Sequence, residues 1–413
     1  MAKPLGDKMP EERKKAFKKL DIAQTDRVIL SLDGGGMRGI LTIQLLKKLE
    51  EVAGIKCYDL FDMIAGTSTG GIIAGLILKG FTAVEIEKKY DKLIREVFHK
   101  RPIGNRFLNP PQYSKKQYRE RLKSIIGSTL SIEDACKVND LDFLITARDM
   151  SAAEETFFTA FKQADGTYHG TYKSVLLRAV MESTMSAPTY FYPLERFVDG
   201  GVTTHNNPSL GAFIEALSYS TPKDEDGKRS IPSAYKMPAI SVYSFGTGAT
   251  QRFIKPTKTL NPKGNDIKFW LDWLINETSE DASSVQENAF RTLMIQNSVR
   301  YNRYQISLDP TALRKLPNSD QLDKKLYGSK WLWDLDEKSL ASIDMADLNH
   351  YELMKIIGQQ IAAYICSDDY SKNWFRSDLI NENGNDQLVT FSGDVARIKA
   401  QMSDPDWLDN FPA

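Results

Sequence analysis

The sequence has little cysteine, few histidines and no long apolar run among its 413 residues. The three cysteines, Cys57, Cys136 and Cys366, are too few and too scattered for a disulfide framework, and no Cys-x-x-Cys pair suggests zinc binding or redox chemistry. The longest apolar stretch, Gly70 to Leu78, is far shorter than the ~18 residues of a membrane-spanning helix. We therefore expect reduced cysteines and no membrane span.

An excess of charge is missing too, because 54 Lys and Arg balance 54 Asp and Glu. A nucleic-acid binder needs a basic excess to release counterions from phosphates, so we expect no nucleic-acid polymer as partner. The chain does have 41% hydrophobic and 10% aromatic residues, which suffice for a sizeable core. Its first twenty residues carry several lysines but no apolar segment of a secretion signal. These features predict a soluble, cytoplasmic, globular protein.

Alternating strand and helix patterns open the chain. The β-branched run Arg27 to Leu32 predicts a buried strand, and a helical apolar pattern begins at Ile40 and ends before Gly54. A second short strand at residues 63–66 precedes a helix over residues 70–79. A βαβα order of this kind predicts an α/β fold with a mainly parallel central sheet that helices cover on both faces.

The remaining pattern suggests three regions. Further strands are predicted at residues 141–146, 156–159, 196–198, 239–245 and 301–308, and Thr82 with Glu85 forms the pattern of a capping box. Helices dominate the end of the chain, within residues 335–365. We expect a basic N-terminal segment over residues 1–24, an α/β catalytic domain over residues 25–308 and an α-rich C-terminal region over residues 309–413.

The glycine cluster Asp33-Gly-Gly-Gly-Met-Arg-Gly39 permits two interpretations. Its glycine spacing formally matches a dinucleotide-binding fingerprint, and Asp59 follows at about the expected distance. However, Asp59 and Asp62 precede the second strand, so their carboxylates lie at the wrong end of that strand for a ribose contact. Alternatively, consecutive glycines before a helix present backbone N–H groups that bind a phosphate or a developing oxyanion.

The pentapeptide Gly66-Thr-Ser-Thr-Gly70 favours the second interpretation. It is a G-x-S-x-G pattern between a strand and a helix, the context in which the serine is exposed on a sharp turn as a nucleophile. A Gly/Ser loop without chemistry is the alternative. Because the motif follows the glycine cluster in a strand–turn–helix context, we interpret Ser68 as a nucleophile.

A serine nucleophile needs a base, and the chain has only four histidines, His99, His169, His205 and His350. The order Ser68, Asp199, His205 matches one hydrolase order, but His205 follows Asp199 so closely that it is better interpreted as a loop residue. Asp199 ends an apolar strand and precedes two glycines, which places its carboxylate at the sheet edge where Ser68 emerges. Asp199 is therefore our preferred base, with a turn-forming Asp-Gly as the alternative.

Taken together, the segments Asp33 to Gly39, Gly66 to Gly70 and Asp199 to Gly201 resemble the patatin-like phospholipase family. Residues 186–191, 206–208 and 244–248 are similar to family segments as well. The resemblance covers roughly residues 25 to 308. It implies a three-layer α/β/α fold and hydrolysis of lipid acyl esters by a Ser/Asp dyad, with no metal or other cofactor.

Carried onto this chain, the resemblance implies specific roles. Ser68 attacks the ester carbonyl and Asp199 accepts its proton. The N–H groups of the glycine cluster hold the oxyanion, and Arg38 steadies that loop or a substrate phosphate. The predicted oxyanion residues are Gly35, Gly36 and Met37. An exposed Asp with a pKa near ~3.9 is too weak a base at neutral pH, so we expect a partly dry site.

The resemblance also implies partners. A phospholipase meets a membrane surface peripherally, and the basic stretches at residues 13–20 and 100–108 are candidates for that contact, with a solvated helix and a surface loop as alternatives. Some bacterial members of the family are antiphage effectors that a cyclic nucleotide activates. An unregulated acyl hydrolase and a non-catalytic lipid or nucleotide binder are the competing hypotheses. A homo-oligomeric assembly is also left open.

Overall fold

The computed structural model describes residues 3–98, 112–218, 233–249, 282–305, 308, 343, 345–365 and 403–406. These residues build an eight-stranded sheet with helices on both faces. The strands are β1 Arg27–Leu32, β2 Met63–Gly66, β3 Asp142–Asp149, β4 Glu154–Lys162, β5 Tyr168–His169, β6 Phe197–Asp199, β7 Ile240–Phe245 and β8 Arg300–Tyr304. Their order is β5-β4-β3-β2-β1-β7-β8, and β6 pairs with β3.

The centre of the sheet is parallel and one side of it is antiparallel. Strands β3, β2, β1, β7 and β8 pair in parallel, whereas β4 and β6 pair antiparallel to β3. Because β4 occupies one edge of β3, the strands β2 and β6 must share the other edge, where β2 pairs with residues 142–145 and β6 with residues 147–149. The carboxyl ends of β2 and β6 therefore point toward each other.

Helices flank this sheet. They are α1 Glu11–Lys19, α2 Gly39–Ala53, α3 Cys57–Leu60, α4 Thr69–Leu78, α5 Ala83–Val97, α6 Lys116–Ile126, α7 Ile132–Asn139, α8 Leu177–Thr184, α9 Ser209–Ser218, α10 over residues 282–295 and α11 Tyr351–Ile365. Alternate residues of β1 enter different cores, Leu30 the one with α2, α4 and α5, and Ile29 the one with α9 and α10. Two cores separated by one sheet are the three-layer α/β/α arrangement that we predicted.

Several local predictions are confirmed at single residues. Strands β1 and β2 have the predicted bounds, and Gly54 ends α2 in the left-handed conformation, with φ of 78°. Thr82 and Glu85 form the predicted capping box at the start of α5, each side chain accepting from the other residue's backbone N–H. Helices α6 and α7 were not predicted.

The basic N-terminal stretch, residues 13–20, was expected to contact lipid, and the structure shows how its helix packs. Residues 11–19 form α1, and its Ala16 and Phe17 are fully buried against the body of the protein. The apolar face of this helix is therefore not available to lipid, and insertion of that face into a membrane is wrong. Contact of its exposed lysines with anionic lipid stays a prediction. The second candidate for lipid contact, residues 100–108, lies outside the described residues.

The α-rich C-terminal region contributes a helix to the same core. Helix α11 packs along α2, where a Cβ placed on Gly358 would lie 3.1 Å from the Leu41 Cα. Tyr351 donates to the Asp91 carboxylate on α5 at 2.5 Å, and Lys355 pairs with Glu87 at 2.9 Å. Helix α11 thus belongs with the α/β layers, and a domain boundary at residue 308 stays a prediction.

Candidate active site

Ser68 occupies the sharp turn between β2 and α4. Its backbone has φ of 52° and ψ of −121°, a left-handed conformation that is strained for a residue with a side chain. Gly70 permits the turn, because a Cβ at that position would lie 2.2 Å from the Leu32 carbonyl oxygen. The turn therefore brings the start of α4 directly against the end of β1, and Ser68 is left at the edge of the sheet.

Asp199 reaches the same point from the opposite direction. It ends β6 opposite Ala147 of β3, while Gly66 ends β2 opposite Ile145. The two strand ends face each other along one edge of β3. The Ser68 Oγ donates a hydrogen bond of 2.6 Å to Asp199 Oδ2, so the two residues predicted as nucleophile and base are in direct contact.

The Asp199 carboxylate is buried without a cation. It is 4% exposed, and in the part of the chain that the structure describes no Lys or Arg pairs with it. The Gly201 N–H donates to Oδ1 at 2.7 Å, which leaves Oδ2 for Ser68. Burial raises the pKa of Asp199 to about 7, against the opposing effect of these two hydrogen bonds. The burial of Asp199 is the condition that a partly dry site requires.

The end of helix α8 orients both residues. The Ser68 N–H donates to Thr184 Oγ1 at 2.8 Å, and the Asp199 N–H donates to the Ser186 carbonyl at 3.2 Å. Lys115 donates to the Ser186 hydroxyl at 2.6 Å and pairs with Glu182 at 3.3 Å, so this helix end is itself fixed. Sequence reasoning missed Thr184, although it lies just before the segment 186–191 that carries part of the resemblance.

The glycine cluster forms a loop beside Ser68, and two hydrogen bonds hold its first glycine. The Gly34 N–H donates to the Asn206 carbonyl at 3.1 Å, and Thr247 Oγ1 donates to the Gly34 carbonyl at 2.6 Å. Within the described ranges, the N–H groups of Gly35 and Gly36 meet no protein acceptor. The segments around residues 206 and 247, both noted in the sequence, thus meet at this loop.

Met37 and Arg38 follow these glycines in the cluster, and neither one presents a free donor to the cavity among the described contacts. The Met37 N–H, the third predicted oxyanion donor, donates to the Met345 carbonyl at 2.8 Å. Arg38 ends the short 3-10 helix that starts at Gly36, and it is not among the described residues that line the cavity at Ser68. Of the three predicted donors, Gly35 and Gly36 are therefore those whose N–H groups meet no acceptor among the described residues.

His205 lies apart from the Ser68–Asp199 pair. Its Nε2 is 3.0 Å from Glu155 Oε2, and its ring packs edge-on against Phe157. Its Nδ1 is buried and has no hydrogen-bond partner in the described part of the chain. Burial lowers the pKa of His205, although Glu155 opposes this. Only the backbone of His205 serves the turn, because its carbonyl accepts from Thr67 Oγ1 at 2.7 Å.

A small cavity with about 20 Å³ of free space opens at Ser68. Its polar end contains Gly36, Ser68 and Asp199, and Thr69 lies beside them. The rest of its described lining is apolar and comprises Ile72, Ile94, Val97, Phe98, Met185, Ala187, Phe191 and Met345. The arrangement places an apolar lining against a hydroxyl, a buried carboxylate and backbone N–H groups. This chemistry suits a ligand with an apolar chain and one polar, reactive group, and the cavity must widen before such a chain can enter.

The carboxylates of the competing dinucleotide interpretation lie elsewhere. Asp62 is buried at the other end of β2, where Arg13 and Arg27 each contact it at 2.8 Å. It is therefore occupied and cannot meet a ribose beside the glycine loop. Within the described ranges, no group of three or more His, Cys, Asp or Glu side chains is arranged to hold a metal ion. The same residues include no helix that is long and apolar enough to cross a membrane.

Comparisons with known proteins agree on one family. The family model described as patatin-like phospholipase matches residues 30–213. The 85/88 kDa calcium-independent phospholipase A2 of Rattus norvegicus is 33% identical over 233 residues, covering 53% of this chain and 27% of that protein.

Two bacterial relatives are named cGAMP-activated phospholipase. The one from Escherichia coli is 32% identical over 216 residues, which cover 48% of this chain and 58% of the relative. The one from Vibrio cholerae is 29% identical over 259 residues, covering 57% of this chain and 68% of the relative. The chain thus spans about a quarter of the rat protein and somewhat more than half of the Escherichia coli protein.

Proposed function

We propose, on the premise that residues 30–213 are a patatin-like phospholipase domain, that this chain hydrolyses acyl esters of membrane phospholipids. Ser68 is the nucleophile and Asp199 its base. The observation that carries this proposal is the direct 2.6 Å hydrogen bond between the Ser68 hydroxyl and a buried carboxylate without a cation. Such a pair can move a proton with no histidine between them.

In the first step Ser68 Oγ attacks the ester carbonyl while its proton passes to Asp199 Oδ2. The carbonyl oxygen becomes an oxyanion, and the free N–H groups of Gly35 and Gly36 stabilise it. When the tetrahedral intermediate collapses, the protonated Asp199 gives its proton to the departing alcohol, a lysophospholipid. The acyl group stays on Ser68 as an ester.

In the second step water attacks this acyl ester and Asp199 accepts the proton of the water. The same N–H groups hold the new oxyanion. Collapse releases the fatty acid, and Asp199 returns the proton to Ser68 Oγ. A carboxylate with a pKa of about 7 suits both transfers near neutral pH, since it accepts and donates with similar ease.

The apolar lining of the cavity suits the acyl chain of this substrate, which enters when the cavity widens. Side chains from α4, α5 and the segment after α8 line it, and the ester of a chain lying there would meet Ser68 at the polar end. Burying each CH₂ of the chain contributes ~0.8 kcal/mol. We place the enzyme in the cytoplasm, where it contacts membranes peripherally, and its oligomeric state is open.

Activation by a cyclic nucleotide is the finer part of the proposal. The relatives from Escherichia coli and Vibrio cholerae are named cGAMP-activated phospholipases, and this supports the same regulation here, in defence against phage. A cell must restrain an enzyme that degrades the membranes of that same cell. The Met37 N–H, a predicted oxyanion donor, is bound to the Met345 carbonyl, which agrees with a restrained state. The alternative is an acyl hydrolase with no activator.

The test is a fluorogenic phospholipid assay on the purified full chain, alone and with a panel of cyclic nucleotides that includes cGAMP. We expect hydrolysis that one nucleotide increases and that Ser68→Ala abolishes. Ser31→Ala is the matched control, because Ser31 is a buried serine of β1 whose hydroxyl makes no hydrogen bond within the described ranges.

Each result bears on a separate part of the proposal. Full activity in a folded Ser68→Ala protein would falsify the nucleophile assignment. Strong basal activity that no nucleotide changes would favour the unregulated hydrolase. No hydrolysis under any condition would favour a lipid or nucleotide binder.

A further inference from the structure

A buried ion pair anchors the residue that begins the glycine loop. Asp33 directly follows β1, and its carboxylate accepts two parallel hydrogen bonds from Arg303 of β8. The Nη1–Oδ1 distance is 2.9 Å and the Nη2–Oδ2 distance is 2.6 Å. Asp33 is 2% exposed and Arg303 3%. Bidentate pairing fixes both the position and the plane of the carboxylate.

The guanidinium of Arg303 is fixed in turn from two elements. Its Nη1 also donates to Ser244 Oγ of β7 at 2.9 Å, and its Nε donates to Glu287 Oε1 of α10 at 3.0 Å. Burial acts to lower the pKa of Arg303, but Asp33 and other acidic neighbours raise it overall, so this arginine keeps its charge. Asp33 is therefore held against a rigid part of the sheet.

The loop that follows Asp33 carries the free N–H groups. Gly34 is bound by Asn206 and Thr247, and Gly35 and Gly36 come next. Among these contacts at the start of the loop, the Asp33–Arg303 pair is the charged one. Arg303 lies outside residues 30–213, which the family model matches. The family match alone therefore does not include the residue that fixes the start of the loop.

We propose that Arg303 is a positioning residue for the oxyanion loop, acting through Asp33 to aim the Gly35 and Gly36 N–H groups at the developing negative charge. The proposal rests on the proposed function. The two N–H groups act on the charge that develops in the transition state, so a displacement of ~1 Å weakens transition-state binding but hardly affects binding of the uncharged ester. Loss of Arg303 should therefore lower kcat by ~10²-fold and leave KM nearly unchanged.

The decisive variant removes both charges at once. Arg303→Gln alone leaves the Asp33 carboxylate buried without a partner and can unfold the protein. The double variant Asp33→Asn with Arg303→Gln leaves no fully buried unpaired charge. Glu287 also loses its partner but is partly exposed to water, so the variant should fold with an unfolding temperature near that of the wild type. We expect its kcat to stay ~10²-fold lower on a fluorogenic phospholipid, and Ser68 to react slowly with a fluorophosphonate probe, as measured by intact mass.

The same strand offers a matched control. Arg300, three residues earlier on β8, pairs with buried Asp26 at 3.1 Å near the amino end of β1, away from the loop. Arg300→Gln should therefore leave kcat unchanged. If the double variant recovers wild-type kcat together with its stability, Arg303 has only a structural role and the proposal is overturned. If the wild type neither hydrolyses the lipid nor labels at Ser68, the proposed function fails and this inference fails with it.

Discussion

Two buried carboxylates lie at opposite ends of β2, and their surroundings differ in one respect. Asp62 precedes the strand and contacts both Arg13 and Arg27. Asp199 meets the residues after the strand, and among the described residues its carboxylate bonds to a hydroxyl and a backbone N–H and to no cation. They are about equally buried, at 5% and 4% exposure. Burial acts to raise the pKa of both, yet the two arginines hold the pKa of Asp62 below its usual range, while that of Asp199 rises to about 7.

The difference is the one expected between a structural carboxylate and a general base. At Asp62, the two guanidinium partners keep the buried carboxylate ionised and make it a poor proton acceptor. Without such a partner, the carboxylate holds its proton up to neutral pH and can exchange it with a bound hydroxyl. The sheet thus uses one residue type for stability at one end and, as we propose, for chemistry at the other.

The largest effect is expected from Asp199→Asn. Because the amide cannot accept the Ser68 proton, kcat/KM should fall by ~10³-fold or more. The unfolding temperature at pH ~8 should not fall with it, since the variant removes a buried carboxylate that has no cation. Steady-state hydrolysis and thermal unfolding check the two parts. Retention of most of the activity would show that Asp199 is not the base.

Asp62→Asn should have the opposite outcome. It leaves the Arg13 and Arg27 guanidinium groups buried without their carboxylate, so the free energy of unfolding should fall by ~3–5 kcal/mol. The folded fraction should keep the wild-type kcat, because Ser68 and Asp199 are untouched. Urea unfolding followed by an assay in dilute urea measures both. An Asp62→Asn variant with unchanged stability but a low kcat would contradict the structural role assigned to Asp62.

The pH dependence of hydrolysis should follow Asp199. Only its carboxylate form accepts a proton, and burial raises its pKa to about 7. We therefore expect kcat/KM to rise roughly tenfold per pH unit below neutrality and to level off above it. An uncharged acyl ester keeps substrate ionisation out of the profile. A rate that is constant across this range would contradict the assigned base.

The pH dependence of stability should have opposite signs at the two carboxylates. Between its ordinary pKa of 3.8 and about 7, Asp199 binds a proton in the folded state but not in the unfolded state, so its contribution falls as the pH rises through this window. The pKa of folded Asp62 is lowered, so its contribution is present above 3.8 and is lost as the pH falls toward the folded value. Unfolding free energies of the wild type and Asp199→Asn should diverge across the first window. Parallel curves would argue against a raised pKa.

The smallest effect is expected from His205→Gln. The His205 ring contacts Glu155 and Phe157 rather than Ser68 or Asp199, so kcat/KM should change by much less than the ~10²-fold that loss of a general base costs. The kinetics are compared with those of Asp199→Asn under the same conditions. A loss as deep as that of Asp199→Asn would restore the triad hypothesis.

Sequence patterns predicted the parts of the site that depend on local structure. The Ser68 turn follows from glycines on either side of a serine between a strand and a helix, and the place of Asp199 follows from a strand that ends in two glycines. Strands β1 and β2 were predicted to the residue because they are short, apolar and flanked by turn residues. Their parallel order followed from the alternation with helices.

Residues that act over long separations gave no such signal. Arg303 lies within a strand of mixed polarity and meets Asp33 only because β8 and β1 flank β7. Thr184 contacts the Ser68 N–H because α8 packs against α4, and Met345 meets Met37 because α11 packs on α2. None of these contacts has a spacing in the chain that a periodic pattern could indicate. The fate of the apolar face of helix α1, buried rather than lipid-facing, likewise depended on tertiary packing.

The contacts that fix the glycine loop also set an order of events during synthesis. The Ser68 turn and β6 emerge from the ribosome well before Thr247, Arg303 and Met345, which bind the loop through Gly34, Asp33 and Met37. Contacts this distant in sequence form late in folding. A nascent chain therefore carries its serine and its carboxylate before the loop beside them is held in place, and the loop gains all of these contacts only after residue 345 has been made.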